Sequence, residues 1–170
     1  MRTLGIDLGG SYLKTALMNE KKTIELKKYP VKPHKISVIN LIKNIVLTEK
    51  PHKIGLGIAG LIDPLSKKIL HSPNLKIKDH SNFIERLKKK IQIPIEIEND
   101  ANCAALGEFQ FGNHNTDHLI TLTLGTGLGA GMIYQGELYK GAGGSEIEIG
   151  HCIIKPGGRK CNCGNRGCFE

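Results

Sequence analysis

The feature that most constrains the fold is a pair of similar segments, each an apolar run that ends in a glycine turn and then resumes as a second apolar run. The first lies at residues 6–10 and the second at residues 123–127. Apolar runs joined by short glycine turns are typical of β-hairpins. Two such units in one chain indicate two related lobes that face each other.

The spacing of apolar residues predicts an α/β order of elements. Three strands with tight turns are predicted between Leu4 and Tyr29. Helical spacing of apolar residues predicts helices over residues 36–47, 83–91 and 101–111. Further strands are predicted over residues 54–58, 94–97, 119–124 and 132–139, with mostly loop over residues 60–75. The polar segment 112–117 marks the expected boundary between a lobe at residues 1–112 and the start of a second lobe at residues 113–170.

The basic charge of the chain does not indicate a nucleic-acid partner. The formal net charge is +8, but the lysines are spread through polar positions, and the one tight run, Lys88–Lys90, ends a helix pattern. Cations are favourable at a helix C-terminus, so a solvated helix end is the simpler interpretation. No basic stripe alternates with aromatic residues, as it would in many nucleic-acid-binding proteins.

The expected location is the cytoplasm. No apolar run approaches the ~18 residues that a membrane span needs, so no membrane partner is expected. Met1 leads directly into a strand pattern, without the charged and apolar regions of a secretory signal. In a reducing compartment, the five cysteines indicate metal binding or chemistry before disulfides.

Both glycine turns have the composition of phosphate-binding turns. Gly9 and Gly10 let backbone N–H groups approach a phosphate, Ser11 adds a hydroxyl donor, and Asp7 can hold Mg²⁺ through water. A plain hairpin turn explains these residues equally well. Residues 125–131 loosely fit a dinucleotide fingerprint, but a strand pattern follows where that fingerprint requires a helix. A second phosphate-contacting turn therefore fits better.

The segment 98–102 contains a carboxylate at the junction of a strand pattern and a helix pattern. Asn99 and Asp100 stand where a helix N-cap belongs, and both residue types fill that position for backbone reasons. The functional alternative is a carboxylate at a strand end that faces a cleft. Position alone favours the cap.

The C-terminal segment carries a metal-ligand pattern. Three cysteines within eight residues, with glycines at the turns and a histidine ten residues upstream, form the N/S ligand set that zinc prefers. Four protein ligands leave no open position, so the expected metal is a structural Zn²⁺. A disulfide or unligated thiols are the alternatives. Cys152 is a competing ligand, but its side chain points the other way from that of His151 if the segment is extended.

In series, these elements resemble the ROK family of sugar kinases and related repressors, and the resemblance covers the whole chain. The matching segments are residues 7–11, 57–60, 63–64, 73–75, 98–102, 125–127, 148–151 and 161–168. The resemblance implies a ribonuclease-H-like fold of the actin and hexokinase type. Its two α/β lobes would hold ATP and a hexose in a cleft, with the first lobe complete in this chain and the second partial.

The resemblance also implies a role for each matching residue. Asp100 is the expected general base for a sugar hydroxyl. The expected sugar-binding residues are Gly60, Asn99, Asp100, Glu148, His151 and Glu170. The triphosphate would be lined by Gly9, Gly10, Ser11, Gly125, Thr126 and Gly127, with Asp7 on the Mg²⁺ side. The structural zinc would be held by His151, Cys161, Cys163 and Cys168.

The chain departs from the family pattern in composition and in length. Ser11 stands where Thr is usual and Ala59 where Pro is usual, and residues 143–147 are bulkier and more charged than the family's Gly/Ala-rich stretch. Family members continue well past the cysteine cluster, so an incomplete hexose kinase is expected, and the adenine site is not in this chain. The alternative is a non-catalytic sugar-binding fragment or a relic of a sugar-responsive regulator. The hexose and a homo-oligomeric state stay open.

Overall fold

The structure is a computed structural model that describes residues 1–20, 22–31, 37–72, 75, 77, 79–125, 127–141 and 147–170. The chain divides into two compact units, residues 1–100 and residues 101–170. This division falls at the first residue of the helix Asp100–Phe111, whereas the lobe boundary expected from the sequence falls after residue 112, just past the end of the same helix. The expected lobe boundary stays a prediction. In the described part of the chain, every helix is too short or too polar to cross a membrane.

The first unit is built on a five-stranded sheet. Its strands are β1 (Arg2–Leu8), β2 (Tyr12–Asn19), β3 (Lys22–Pro30), β4 (Lys53–Ile58) and β7 (Ile95–Asn99). They are ordered β3-β2-β1-β4-β7, with β1, β2 and β3 antiparallel and β4 and β7 parallel to β1. Because β4 and β7 are both parallel to β1, the carboxyl ends of these three strands lie at one edge of the sheet.

Two amphipathic helices cover the apolar face of this sheet. Helix α1 (Val38–Glu49) begins after Ser37, whose hydroxyl accepts from the N–H of Asn40 at 3.3 Å. Helix α2 (His80–Ile91) carries Lys88–Lys90 in its last turn, where cations favour the helix dipole. The buried faces of both helices join the sheet in one core, which includes Leu4, Ile6, Leu8, Ile42, Ile54, Leu56, Ile58, Phe83 and Leu87.

The connection between β4 and α2 contains a small hairpin that the sequence did not predict. Strands β5 (Leu61–Ile62) and β6 (Ile69–His71) pair antiparallel. Asp63 donates its N–H to the carbonyl of Lys68, and its own carbonyl accepts from the N–H of Lys67, both at 2.9 Å. Strands of two and three residues are too short to show a period, so the pattern could not reveal them.

In the second unit, helix α3 (Asp100–Phe111) packs on a three-stranded antiparallel sheet. The first residue of this helix, Asp100, still belongs to the first unit. The sheet is ordered β10-β9-β8, from β8 (Leu119–Leu124), β9 (Leu128–Tyr134) and β10 (Glu137–Leu138). A Cβ at Gly131 of β9 would lie 2.6 Å from the carbonyl oxygen of Ala101 and 2.7 Å from the Cβ of Ala105. The small residues therefore let the helix backbone approach the strand closely.

The prediction of one strand in the second unit is wrong. The sequence pattern predicts a single strand over residues 132–139, but a two-residue turn at Gln135 and Gly136 divides it into β9 and β10. Both turn residues have positive φ, 52° and 79°. Two successive positive φ values are the signature of a type I′ hairpin turn, which glycine at the second position favours. The extra apolar residues of β10 conceal the turn in the sequence.

Candidate functional site

The carboxyl ends of three parallel strands bring several predicted site residues to one edge of the first unit. In the sheet register Leu8 of β1 is opposite Ile58 of β4, and Ile58 is opposite Asn99 of β7. The segments that follow these residues are the Gly9–Ser11 turn, the loop at Gly60 and the start of α3 at Asp100. Ligands of α/β proteins bind at such edges, beyond the carboxyl ends of parallel strands.

The first glycine turn is a tight connection, and the side chain of its serine, Ser11, is exposed to solvent. The N–H of Gly9 donates to the carbonyl of Tyr12 at 3.0 Å, and a Cβ on Gly9 would lie 3.2 Å from that same oxygen. The N–H of Val31 donates to the carbonyl of Ser11 at 2.9 Å. The turn is therefore tied to the end of β3, while the side chain of Ser11 stays exposed.

Asp7 forms an ion pair that sequence reasoning missed. Its Oδ2 lies 3.0 Å from Nζ of Lys14, and the two residues are directly opposite each other in the β1–β2 hairpin. The side chains are 45% and 61% exposed, so the pair adds only about 0–1 kcal/mol to stability. The tight glycine turn fixes the register of the β1–β2 hairpin. That register places Lys14 opposite Asp7, so it is the signal in the sequence from which the ion pair could have been predicted.

Asn99 and Gly60, two of the predicted sugar-binding residues, are in direct contact. Asn99 is 7% exposed, and its Nδ2 donates to the carbonyl of Gly60 at 3.3 Å. Gly60 has a φ of 151°, and a Cβ there would lie 2.8 Å from the Cβ of Ser72, so the position requires glycine. Asn99 is the last residue of β7, and Asp100 is the first residue of α3. The Asp100 carboxylate thus lies in the first helical turn, where negative charge is favourable.

The second glycine turn lies between β8 and β9 in the second unit. The N–H of Gly125 donates to the carbonyl of Gly127 at 3.0 Å, and Leu124 pairs with Leu128 beyond them. The N–H of Leu128 donates to Oε2 of Glu170 at 3.2 Å. Thr126 lies outside the described residues, as do residues 143–146 of the expected departure from the family pattern.

A short 3-10 turn holds Glu148 and His151 side by side. The N–H of His151 donates to the carbonyl of Glu148 at 3.0 Å. Their side chains approach as well, with 3.8 Å between Nε2 of His151 and Oε2 of Glu148. The other ring nitrogen, Nδ1, faces Sγ of Cys161 at 3.6 Å. The two imidazole nitrogens therefore face different groups, a carboxylate and a thiol.

The four predicted metal ligands converge. One ligand atom from each of four side chains lies within 4.8 Å of all the others: His151, Cys161, Cys163 and Cys168. The sulfur atoms of Cys163 and Cys168 are 3.7 Å apart, well beyond the about 2.05 Å of a disulfide bond. Cys152 lies outside the cluster and directs its Sγ toward the carbonyl of Glu148 at 3.9 Å.

The backbone around the cysteines explains this convergence. The N–H of Cys161 donates to the carbonyl of Asn165 at 2.9 Å, and the N–H of Gly164 returns to the carbonyl of Cys161 at 3.1 Å. Gly164 has a φ of 97°, a conformation that glycine adopts without strain. The chain therefore reverses between the second and third cysteine, and a bridge between Ile153 and Cys168 brings the third beside the histidine segment.

Two of the thiols have opposite acidity shifts. The backbone N–H of Asn165 and, next, the side chain of Cys161 lower the pKa of Cys163. Burial, followed by the neighbouring thiols of Cys163 and Cys161, raises the pKa of Cys168 to about 12. A metal ligand must be a thiolate, so binding a cation here releases protons from thiols of unequal acidity.

Comparisons with known proteins agree with the fold and with the family resemblance. A sequence model described as the ROK family matches residues 3–170. A glucokinase of Thermotoga maritima is 36% identical over 179 residues, which are 100% of this chain and 56% of the relative. A xylose repressor of Bacillus subtilis is also 36% identical, over 181 residues that are 99% of this chain and 46% of the relative. The chain thus spans about half the length of the curated relatives it matches.

Solved structures give the same result. The structure of a ROK family glucokinase from Streptomyces griseus in complex with glucose and AMPPNP matches with a TM-score of 0.87 and 32% identity, covering 100% of this chain and 56% of that one. A ROK hexokinase from Thermus thermophilus matches with a TM-score of 0.82 and 28% identity, covering 99% of this chain and 58% of that one. The expected α/β fold of the hexokinase type is confirmed. By the match over residues 3–170, the chain belongs to the ROK family.

Proposed function

We propose that the chain is the sugar-binding and phosphate-binding part of an ATP-dependent hexose kinase of glucokinase type. The observation that carries the proposal is the shared edge of β1, β4 and β7, where a glycine turn, Gly60, Asn99 and Asp100 come together. A plain capping role for Asp100 explains neither the glycine turn nor the contact of Asn99 with Gly60. Glucose and AMPPNP in the Streptomyces griseus structure support a hexose and ATP as the substrates.

Asp100 is the proposed general base. Phosphoryl transfer passes through a loose transition state, so the attacking hydroxyl keeps its proton until late and needs positioning more than strong activation. A carboxylate at the first turn of α3 can accept that proton. Mg²⁺, when bound, supplies charge neutralisation on the phosphates. Asp7 would hold it through water, and Lys14, 3.0 Å from Asp7, would keep that carboxylate in place.

The proposed phosphate contacts are the two glycine turns. Gly9, Gly10 and Ser11 would line the phosphate from the first unit, with the exposed Ser11 hydroxyl as a donor. The N–H of Gly9 is used within the turn, so this residue would contribute close approach of its backbone. Gly125, Thr126 and Gly127 would line it from the second unit, where the N–H of Gly125 is likewise used within the turn. Glycine at these positions leaves the backbone accessible to a bulky anion, and successive N–H groups in turns bind phosphate oxygens well.

The proposed sugar contacts use amide, carboxylate and imidazole groups: Gly60, Asn99, Asp100, Glu148, His151 and Glu170. Carboxylates accept hydrogen bonds from sugar hydroxyls, and a site built in this way rejects an analogue that lacks the hydroxyl because its buried polar groups lose their partners. In the second unit, the 3.8 Å approach of Glu148 to His151 supports a shared ligand for the two side chains. In the first, the Asn99–Gly60 hydrogen bond fixes the amide.

A structural zinc fits the convergent histidine and cysteines. In a tetrahedral site, Zn–S bonds of about 2.3 Å and a Zn–N bond of about 2.0–2.1 Å place two sulfurs about 3.8 Å apart and a sulfur and a nitrogen about 3.6 Å apart. The observed separations are 3.7 Å for Cys163 and Cys168 and 3.6 Å for His151 and Cys161. Glu148 beside the second ring nitrogen matches the carboxylate that commonly orients a ligating histidine.

A sugar-responsive regulator is the second candidate. The 36% identity to the Bacillus subtilis xylose repressor over 99% of the chain supports it as strongly as the glucokinase identity supports a kinase. The two functions differ in turnover. A regulator would bind the sugar without transferring phosphate to it, so Asp100 would contribute to binding alone.

A turnover experiment tests the proposal. The protein that carries residues 1–170 is incubated with MgATP and, in turn, with glucose, fructose, mannose, N-acetylglucosamine and xylose, and sugar phosphate is followed by phosphorus NMR. The proposal predicts phosphorylation of at least one hexose. Sugar binding by calorimetry without any phosphorylated product would favour the regulator instead.

A further inference from the structure

The carboxylate of Glu170 lies between the metal-ligand cluster and the second glycine turn. Its Oε2 accepts from the N–H of Leu128 at 3.2 Å, directly after that turn. Its Oε1 lies 3.7 Å from Sγ of Cys161, one of the four converging ligands. A single side chain thus contacts both the proposed zinc site and the proposed phosphate turn.

Glycines allow this contact to form at close range. A Cβ on Gly127 would collide with the Glu170 carboxylate, and a Cβ on Gly150 would collide with the carbonyl oxygen of Leu128. Gly150 is buried, beside the ligand His151. The metal segment and the turn therefore touch at two places, one through a side chain and one through backbone, and the backbone contact leaves no room for a methyl group.

The backbone of Glu170 is tied to the same segment. Its N–H donates to the carbonyl of Gly150 at 2.9 Å, and the N–H of Phe169 donates to the carbonyl of Cys152 at 2.9 Å. The two acceptor residues, Gly150 and Cys152, flank His151 in the sequence, and the two donor residues directly follow Cys168. A metal that joins His151 to Cys168 would hold this pair of segments together, and Glu170 would be held with them.

We propose that Glu170 is a positioning residue through which metal occupancy fixes the second glycine turn. The inference rests on the zinc site of the proposed function and goes beyond it, because it makes the conformation of a phosphate-contacting turn depend on a metal that does not touch phosphate. A carboxylate has about four lone-pair positions, and the N–H of Leu128 uses one of them. Glu170 can therefore hold the turn and still accept from a sugar hydroxyl.

Hydrogen exchange of single amides tests this dependence. The protein that carries residues 1–170 is labelled with nitrogen-15 and compared by NMR with zinc and after chelation, with zinc content measured on the same samples. The Leu128 amide should exchange about ten- to a hundredfold more slowly with zinc, the protection that one hydrogen bond to a charged group provides. The amide of Tyr139, which donates to Met132 at 2.8 Å at the other end of β9, is the internal control and should change little.

Variants separate the side chain from the fold. Glu170→Ala should abolish the zinc-dependent protection of Leu128 while the chain still binds zinc. Glu170→Gln retains an acceptor oxygen and should keep part of the protection. Glu137→Ala, which removes an exposed carboxylate from β10 in the same unit, should behave like the unmodified chain.

Three results would overturn the inference. One is full zinc binding with no change at Leu128, and another is equal slowing of Leu128 and Tyr139, which would mean that zinc stabilises the whole unit. The third is unchanged protection of Leu128 in Glu170→Ala. If the zinc content is nil, the metal site fails and the inference fails with it, and the zinc measurement identifies that case separately from the other three.

Discussion

The close packing of α3 on β9 predicts opposite effects for two glycine-to-alanine substitutions. An ideal Cβ at Gly131 would lie 2.6 Å from the carbonyl oxygen of Ala101 and 2.7 Å from the Cβ of Ala105. An optimal contact lies at about 3.5–4.0 Å. Because one of the opposing atoms is helix backbone, the methyl group of Gly131→Ala cannot be accommodated by rotating a side chain.

The magnitudes follow from these contacts. Overpacking of this kind lowers the free energy of unfolding by about 1–3 kcal/mol. Gly107, in α3 itself, is the matched control, because a Cβ there would meet nothing within 4 Å. Gly107→Ala should raise the free energy of unfolding by about 0.5–1 kcal/mol, since alanine restricts the unfolded chain and favours helix. The same methyl group is therefore expected to act with opposite signs at two positions of one unit.

Urea unfolding followed by far-UV circular dichroism measures both effects. The unfolding midpoint should fall for Gly131→Ala and rise for Gly107→Ala, with little change in the dependence on denaturant. Gly131→Ala with a stability equal to or above that of the unmodified chain would contradict the close contact of α3 with β9. It would mean that α3, whose first residue is Asp100, does not lie against β9 at this distance.

The remaining predictions concern the metal cluster and one acidic turn. Cys163→Ser should reduce the zinc content of the purified chain from one ion toward none, while Cys152→Ser, outside the cluster, should leave it unchanged; elemental analysis decides, and equal zinc in both variants would contradict the ligand set. The side chain of Ser66 and, next, its backbone N–H hold the pKa of Asp63 below its ordinary value. A lowered folded-state pKa stabilises the turn above the unfolded pKa of about 3.9, and this contribution is lost as the pH falls through the lowered value. In Ser66→Ala the NMR titration of Asp63 should move upward, and an unchanged titration would contradict the hydrogen bond.

Much of the first unit could be predicted from the sequence because its elements are long and regular. Buried isoleucines at helical spacing, Ile39, Ile42 and Ile45, mark α1. Alternating burial marks β1, and a mostly buried run marks β4. The edge formed by the carboxyl ends of β1, β4 and β7 then follows from the order of these parallel strands. The structure adds the register, which puts Lys14 opposite Asp7 and aligns Asn99 with Ile58. Periodicity alone identifies strands and does not pair them.

The second unit was harder to predict because small residues carry its packing. The start of β9 was expected at Met132, but the strand begins at Leu128, since its first residues alternate with glycines that have no apolar side chain to count. Cysteine spacing together with the family resemblance did predict the four side chains that the structure brings together, and their role as metal ligands stays a prediction. Cysteine spacing could not reveal that Glu170 binds the N–H of Leu128, because this contact joins residues 42 positions apart.

The most direct test of the kinase proposal is the turnover of Asp100→Asn. Asparagine keeps the shape of the side chain and remains acceptable at a helix start, so the fold and glucose affinity should be nearly unchanged. It cannot accept the proton of the sugar hydroxyl, and loss of a general base typically lowers the rate by about 10²–10⁴-fold. The protein that carries residues 1–170 and its Asp100→Asn variant are compared side by side, with glucose binding measured by calorimetry and glucose phosphate by phosphorus NMR. Equal glucose binding and a turnover lower by that factor are expected for Asp100→Asn. Equal turnover in the two proteins would contradict the role of Asp100 as the general base.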